Sequence, residues 1–182
     1  MLLVDMLCLA HKIYDRLVAH VSLAQPVCAH LSVVLARSVA DAGLGDKVRL
    51  HRGGTYVCIE GPQFSTMAES HWYRSMGASV IGMTNMPEAK LAREAQMAYA
   101  TLAMVTDYDC WHPREAHVTA TMALENLFKN AGRAQLIAAE AIRLLGQERP
   151  ASDAHTALAQ SLVTQPDAMA PDVRERVAVL LT

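Results

Sequence analysis

Residues 99–109 read Tyr-Ala-Thr-Leu-Ala-Met-Val-Thr-Asp-Tyr-Asp. Tyr99 to Thr106 is near-continuously apolar, the composition of a strand covered on both faces, and it ends on two acids one residue apart. A buried strand that delivers Asp107 and Asp109 at its carboxyl end suits an open α/β sheet, where ligands gather just outside the carboxyl ends of the strands. If the backbone stays extended through Tyr108, period-two geometry turns both carboxylates toward one pocket. Such a pair could bind a base edge, hold a metal, or divide into acid and base. A pair of turn or helix-cap aspartates would look the same in sequence.

Upstream, Ser79 to Met83 reads as a second short buried strand, and the loop Thr84 to Glu88 leads into a helix running to about Met97. Pro87 fits the first helical turn, and Glu88 meets the positive end of that helix. Ser65, Thr66 and Glu69 make a capping pattern for a helix to about Met76, closed by Gly77. Lys47 to Glu60 carries strand formers, with Gly53-Gly54 marking a bulge or a close backbone approach, and Gly61-Pro62 stops it. Gln25-Pro26 opens a helix that ends near Ala42-Gly43, while Leu17 to Leu23 and Met1 to Asp5 read as short strands. Downstream, apolar residues recur at helical spacing from Thr119 to Leu145, and Gly146 ends the run. Strands alternating with helices give an α/β fold: a mixed central sheet flanked by helices. The chain divides into a main part, 1–146, and a linker with a helical tail, 147–182, whose short helices fall around Ala154 to Leu162 and Pro171 to Leu181.

Composition narrows the function. Of 182 residues, 52% are hydrophobic, enough for a sizeable core, and 16 Lys plus Arg against 18 Asp plus Glu leave a formal net charge of −2. No global positive field exists to attract nucleic acid or an anionic membrane, and no apolar run reaches the roughly 18 uncharged residues of a membrane span. The four cysteines form no CxxC, and no basic-then-apolar leader precedes them, which points to reduced thiols in the cytoplasm.

Other residues gain meaning from their place along the carboxyl edge. Phe64, after Gly61-Pro62, could stack on a flat ligand or fill core. Met83 and Thr84 close their strand as Asp107 closes its own, bringing a thioether and a hydroxyl to the same edge, or simply packing there. His20 is a lone histidine in a strand, a pattern common to buried, satisfied histidines. A metal would need further ligands, and His112 with His117 is poorly spaced for one helical face. No Ser-His-Asp arrangement, GxSxG or Walker loop is present.

Three stretches carry a resemblance together. Gly54-Thr55-Tyr56 with Glu60-Gly61-Pro62-Gln63-Phe64-Ser65-Thr66 and Ala68-Glu69-Ser70, then Gly82-Met83-Thr84-Asn85-Met86-Pro87-Glu88, then Thr106-Asp107-Tyr108-Asp109-Cys110-Trp111, resemble the methylthioadenosine phosphorylases of the nucleoside phosphorylase superfamily. The likeness spans roughly Leu17 to Leu145. It implies that inorganic phosphate, a co-substrate, attacks the anomeric carbon of 5′-methylthioadenosine and releases adenine and 5-methylthioribose 1-phosphate, with no cofactor and no metal. It implies that Phe64 stacks near the nucleoside, Ser65 and the two aspartates face the base, Met83 borders the ribose and Thr84 contributes to phosphate binding. Asp109 would serve N7 of the leaving purine and Asp107 the 6-amino group. The alkylthio pocket would involve Ala120, Ala123 and Leu124, with His20 supplied by a neighbour in a homotrimer.

Members of that family also carry a long front segment with a Gly-rich phosphate loop, an Arg-His pair and a further Thr-containing turn, none of which occurs in these 182 residues. Thr84 alone cannot orient a phosphate dianion, which needs cationic or multiple backbone donors. The sequence therefore reads as the carboxyl-terminal part of a nucleoside phosphorylase-like fold, incomplete at its N-terminus. Two alternatives stay open: a non-catalytic remnant that binds purine or associates with full-length subunits, and a 6-oxo-purine nucleoside phosphorylase.

Overall fold

The computed structural model describes residues 16–112 and 120–181, apart from the side chains at 120, 122 and 123. The strand expected at Met1–Asp5 lies outside the described residues. Among the described residues, five α-helices and two strands follow one another as α1 (Ala29–Asp41), β1 (Thr55–Cys58), α2 (Met67–Ser75), β2 (Ala78–Gly82), α3 (Asn85–Glu94), α4 (Ala120–Gln147) and α5 (Pro171–Arg176). β1 and β2 pair in parallel, Tyr56 opposite Val80 and Cys58 opposite Gly82, so the α/β class read from the sequence holds. Among the described residues no helix is long and apolar enough to cross a membrane.

The chain forms two units. The first gathers 1–32, 84–101 and 150–182; the second gathers 33–83 and 102–149. In the first, Leu17, Leu158, Met169, Val173 and Val177 form a buried cluster, so the tail helices are packing elements of this unit. Polar side chains bind its separate stretches. Arg93, almost fully buried, donates to the Gln25 carbonyl at 2.6 Å and pairs with the exposed Asp153 carboxylate at 3.2 Å, holding that carboxyl below its ordinary range. Gln96 donates to the Leu180 carbonyl and accepts from the Leu158 amide, both at 3.0 Å. Asn85 accepts through Oδ1 from the hydroxyls of Tyr99 and Thr101.

In the second unit, Ile137 of α4 packs with Val39 of α1 and Leu44 in the buried cluster, against which Ala42, Val48 and Leu102 also lie. Where the Tyr56 ring crosses β2, the position beneath it is a glycine. A Cβ on Gly82 would fall 1.9 Å from the Tyr56 hydroxyl, so only glycine lets that ring lie across β2.

Several expectations need correction. Leu17–Leu23 is not a strand: it makes one antiparallel bridge, Ala19 with Leu162, because the tail offers it only the short stretch 161–164, through bonds such as His20 N to Ser161 O at 2.8 Å. The extended stretch Lys47–Glu60 forms ladder only at Thr55–Cys58, the chain before it being a 3-10 turn at Gly45–Lys47 and irregular backbone. Tyr99–Thr106 carries no ladder among the described residues and is not covered on both faces; Val105 is 66% exposed. The Tyr99 carbonyl accepts from the Cys28 amide at 2.7 Å, and at the other end side chains donate, Asn126 to Thr106 O at 2.6 Å and Asn130 to Val105 O at 3.1 Å, two amides one turn apart on α4. Gly146 does not end α4, which continues to Gln147.

Burial separates two isoleucines of α4, Ile137 at 2% exposure and Ile142 at 71%. Ile137→Ala is expected to cost about 2–5 kcal/mol by cavity formation, whereas Ile142→Ala should stay within about 0.5 kcal/mol. Urea denaturation of the two variants side by side checks this, and equal losses would show that α4 does not bury the face described.

Candidate functional site

β1 and β2 run parallel, so their carboxyl ends leave the sheet at one edge, and the chain beyond each leads to residues singled out in the sequence. After β1 the chain turns through Gly61 into Phe64 and Ser65; after β2 it enters Met83 and Thr84. These two exits touch. Gly61 sits at φ +70, and a Cβ there would lie 2.6 Å from the Met83 sulfur, so Met83 packs directly on the turn that carries Phe64 and Ser65.

The turn then passes into α2 through a complete capping box: the Thr66 hydroxyl accepts from the Glu69 amide at 3.3 Å, and the Glu69 carboxylate accepts from the Thr66 amide at 2.7 Å. The cap fixes where Ser65 ends and the helix begins. It also holds the Glu69 carboxyl below its ordinary 4.5, chiefly through the Thr66 amide and then its hydroxyl.

The acidic motif joins the same locale from the other side. The Cys110 thiol reaches the Ser65 carbonyl at 3.5 Å, and the Arg74 guanidinium of α2 lies 3.4 Å from the centre of the Trp111 ring, a cation–π contact. Tyr108, Trp111 and His112 stack among themselves. Burial, with the Glu69 and Asp109 charges behind it, raises the Tyr73 phenol; burial and then the Asp109 charge raise the Cys110 thiol.

The two acids do not project in the alternating manner of a strand. Asp109 opens a 3-10 turn, Asp109–Trp111, with φ +58, a left-handed conformation that Asp enters more readily than most side chains. The turn is closed by Asp107, whose Oδ1 accepts from the Asp109 amide at 2.9 Å while Oδ2 accepts from the Thr106 hydroxyl at 2.6 Å. Asp107 is thus an oriented acceptor that also builds the turn presenting Asp109. The extended-backbone premise fails because this local side-chain bond outcompetes a ladder that Tyr108 does not have.

Phe64, Ser65, Met83, Asp107 and Asp109 therefore belong to one unit and to one edge of its sheet. Phe64 is 54% exposed, and the Ser65 hydroxyl is buried without a hydrogen-bond partner among the described residues. Thr84 is exposed at the start of α3 and makes no capping bond. Leu124 lies on α4 with half its surface exposed; Ala120 and Ala123 belong to the same helix, and their side chains are outside the described residues. His20 is exposed and belongs to the other unit, contrary to the buried strand histidine its neighbours suggest. His117 falls outside the described residues.

Sequence reading missed Tyr73, Arg74 and Cys110. Glu69, Ser70, Tyr73 and Arg74 share a helical face at spacings of three and four, but the spacing does not tell that this face meets the acidic turn.

A family model described as the phosphorylase superfamily matches residues 7–143. An S-methyl-5'-thioadenosine phosphorylase of Thermosynechococcus vestitus is 53% identical over 167 residues, 92% of this chain and 57% of the relative. The protein of that name from Rhodospirillum rubrum is 47% identical over 90% of this chain and 55% of its own length. Among solved structures, a methylthioadenosine phosphorylase from an antarctic soil metagenomic library aligns with a TM-score of 0.84 at 56% identity, over 92% of this chain and 58% of that one. A Schistosoma mansoni methylthioadenosine phosphorylase in complex with adenine aligns with a TM-score of 0.64 at 35% identity, over 72% and 50%. The chain spans a little over half the length of the curated relatives it matches.

Glu69 supplies a pH test of the cap. Its folded value is lowered, so its contribution to stability is complete above the ordinary 4.5 and is lost as pH falls through the folded value. Glu69→Gln should melt lower than the parent at neutral pH and show a flatter decline in Tm between about pH 6 and about pH 3. Parallel Tm curves for the two proteins would remove the cap from the account of α2.

Proposed function

Because the chain belongs to the phosphorylase superfamily, we propose that it carries the purine-facing part of a site for phosphorolysis of 5′-methylthioadenosine to adenine and 5-methylthioribose 1-phosphate. The observation that carries this reading is the meeting of the Phe64–Ser65 turn, Met83 and the Asp107–Asp109 turn at one sheet edge. Relatives named S-methyl-5'-thioadenosine phosphorylase, matched over nine-tenths of the chain, support it.

Ribosyl transfer passes through an oxocarbenium-like state in which electrons flow into the purine, so the base leaves more easily when its N7 is protonated or hydrogen-bonded. Asp109 is the group for that task. Its left-handed backbone lifts it out of the strand direction and sets it beside α2, where its charge is felt by Tyr73 and Cys110. Asp107, accepting through both oxygens, remains an acceptor toward substrate and suits an exocyclic 6-amino group. A 6-oxo purine would set acceptor against acceptor and leave a desolvated charge unpaired, which disfavours the 6-oxo-purine alternative. The exposed Phe64 ring offers a stacking face, Met83 borders the ribose, and the Ser65 hydroxyl has hydrogen-bonding capacity to spend on the base. Thr84 stands one residue beyond Met83 as a phosphate contact. Leu124, with Ala120 and Ala123 on the same helix and His20 from a neighbouring subunit, would enclose the alkylthio group in a cytoplasmic homotrimer.

The nucleophile's site is the incomplete part. A phosphate dianion requires several donors, and the 182 residues contain neither a Gly-rich phosphate loop nor an Arg-His pair beside Thr84. The chain purified at this length is expected to release little adenine from 5′-methylthioadenosine even at high phosphate, and robust phosphate-dependent release would require a phosphate site built from other residues. In a protein extended with the family's front segment, Asp109→Ala should lose roughly 3 kcal/mol of transition-state stabilisation. Near-normal single-turnover cleavage would remove Asp109 from the mechanism. In the same background Asp107→Asn should narrow the preference for methylthioadenosine over methylthioinosine, since an amide can donate where a carboxylate cannot. An unchanged preference would count against the assigned role.

A further inference from the structure

Thr84 is exposed at the head of α3 and makes no capping bond, so the cap does not fix the direction of its hydroxyl. Nor does the helix. Met86, two residues on, departs from helical geometry at φ −117 and ψ 131, which interrupts the regular backbone between Thr84 and the rest of α3. The restraint comes from the residue between them. Asn85 is 7% exposed, and its Oδ1 accepts from the Tyr99 hydroxyl at 3.0 Å and from the Thr101 hydroxyl. Two donors occupy both lone pairs of that oxygen. The Tyr99 hydroxyl also lies 3.0 Å from Glu88 Oε2, so one phenol spans the break, from Asn85 before Met86 to Glu88 after it. Beyond the break Ala89 is fully buried and Arg93 is 6% exposed, which anchors the regular part of the helix. All of these residues belong to one unit.

We infer that Asn85, held through its side-chain oxygen by Tyr99 and Thr101, is a positioning residue that aims the Thr84 hydroxyl at the phosphate nucleophile. The inference deepens the proposed activity and rests on it for the ligand of Thr84. An exposed threonine on an unrestrained backbone must be ordered when phosphate binds, and that ordering weakens binding. A neighbour already locked through two hydrogen bonds removes part of this cost in advance. The residue type fits the task. Aspartate could accept the same two bonds but would set a negative charge beside a dianion, and leucine would leave both hydroxyls without this acceptor. An amide holds the position and stays neutral.

Three variants test this. Thr101→Val removes one donor at nearly constant shape, Thr101→Ser restores it, and Asn85→Leu removes the acceptor; the Thr101 pair suffices if Asn85→Leu fails to fold. In the 182-residue chain, Thr101→Val is expected to speed amide exchange at 84–86 about tenfold, with Thr101→Ser at the parental rate and α2 and α5 unchanged. This readout needs no activity. In the protein extended with the family's front segment, Thr101→Val should raise KM for phosphate about fivefold, leave KM for 5′-methylthioadenosine within about twofold, and be reversed by Thr101→Ser. A bond that only stabilises the fold would lower Tm and the yield of active protein while phosphate KM stayed at the parental value. Absence of adenine release from the unsubstituted extended protein counts against the proposed activity, and exchange at 84–86 then decides whether Asn85 holds Thr84. The inference is overturned if exchange at 84–86 ignores Thr101→Val, if phosphate KM is unchanged or rises together with that of the nucleoside, or if Thr101→Ser behaves as Thr101→Val.

Discussion

Parallel pairing of β1 with β2 places two exits from the sheet side by side, and the contents of the site depend on that placement. An antiparallel pair would send Phe64–Ser65 and Met83–Thr84 to opposite ends of the strands. In parallel register the chain after Cys58 and the chain after Gly82 leave together, and Met83 can close on Gly61. That close approach is possible only because residue 61 has no side chain and takes a left-handed backbone. Residue 82 is constrained in the same way by the Tyr56 ring. Both glycines thus leave room for a side chain from the neighbouring strand or its exit.

Legibility in the sequence followed the range of the forces involved. The α2 cap is local: Thr66 and Glu69 are three residues apart and satisfy each other's backbone groups, so the start of α2 could be read from spacing alone. β2 and the long helix α4 were legible for similar reasons, through a short apolar run and a sustained helical period. The stretch Tyr99–Thr106 has the composition of a buried strand, yet composition reports what a segment can do when partners flank it. Its ladder requires neighbours far away in sequence, and among the described residues Asn126 and Asn130 supply donors instead. Leu17–Leu23 fell short for the same nonlocal reason, its available partner being only a few residues long.

Reading of the site divided along a similar line. The residue types at the carboxyl edge were legible, and five of them do share one unit. Their orientation was not, because it is decided by a bond of two-residue span: the Asp107 carboxylate captures the Asp109 amide and bends the chain out of its strand direction. An acid pair written as Asp-x-Asp can follow either geometry, and the outcome turns on whether the middle residue has a strand partner. The supporting layer was hidden for a different reason. Tyr73, Arg74 and Cys110 matter through contact with the acidic turn, and nothing in the spacing of α2 says which of its faces that turn will meet.

The contacts around the acidic turn bear on what kind of acid Asp109 can be. Two of its neighbours, the Tyr73 phenol of α2 and the Cys110 thiol of its own turn, are both raised, with burial as the leading cause and the Asp109 charge adding to it. Neither group is therefore positioned to become a competing anion at neutral pH. Among the described residues, Arg74 lies over the face of Trp111, and that contact carries its charge against an indole ring. The same surroundings explain why the turn is anchored through Cys110 to the Ser65 carbonyl and through Trp111 to Arg74: fixing the flanks of Asp109 leaves the carboxylate's direction to the backbone, and the backbone direction is set by Asp107.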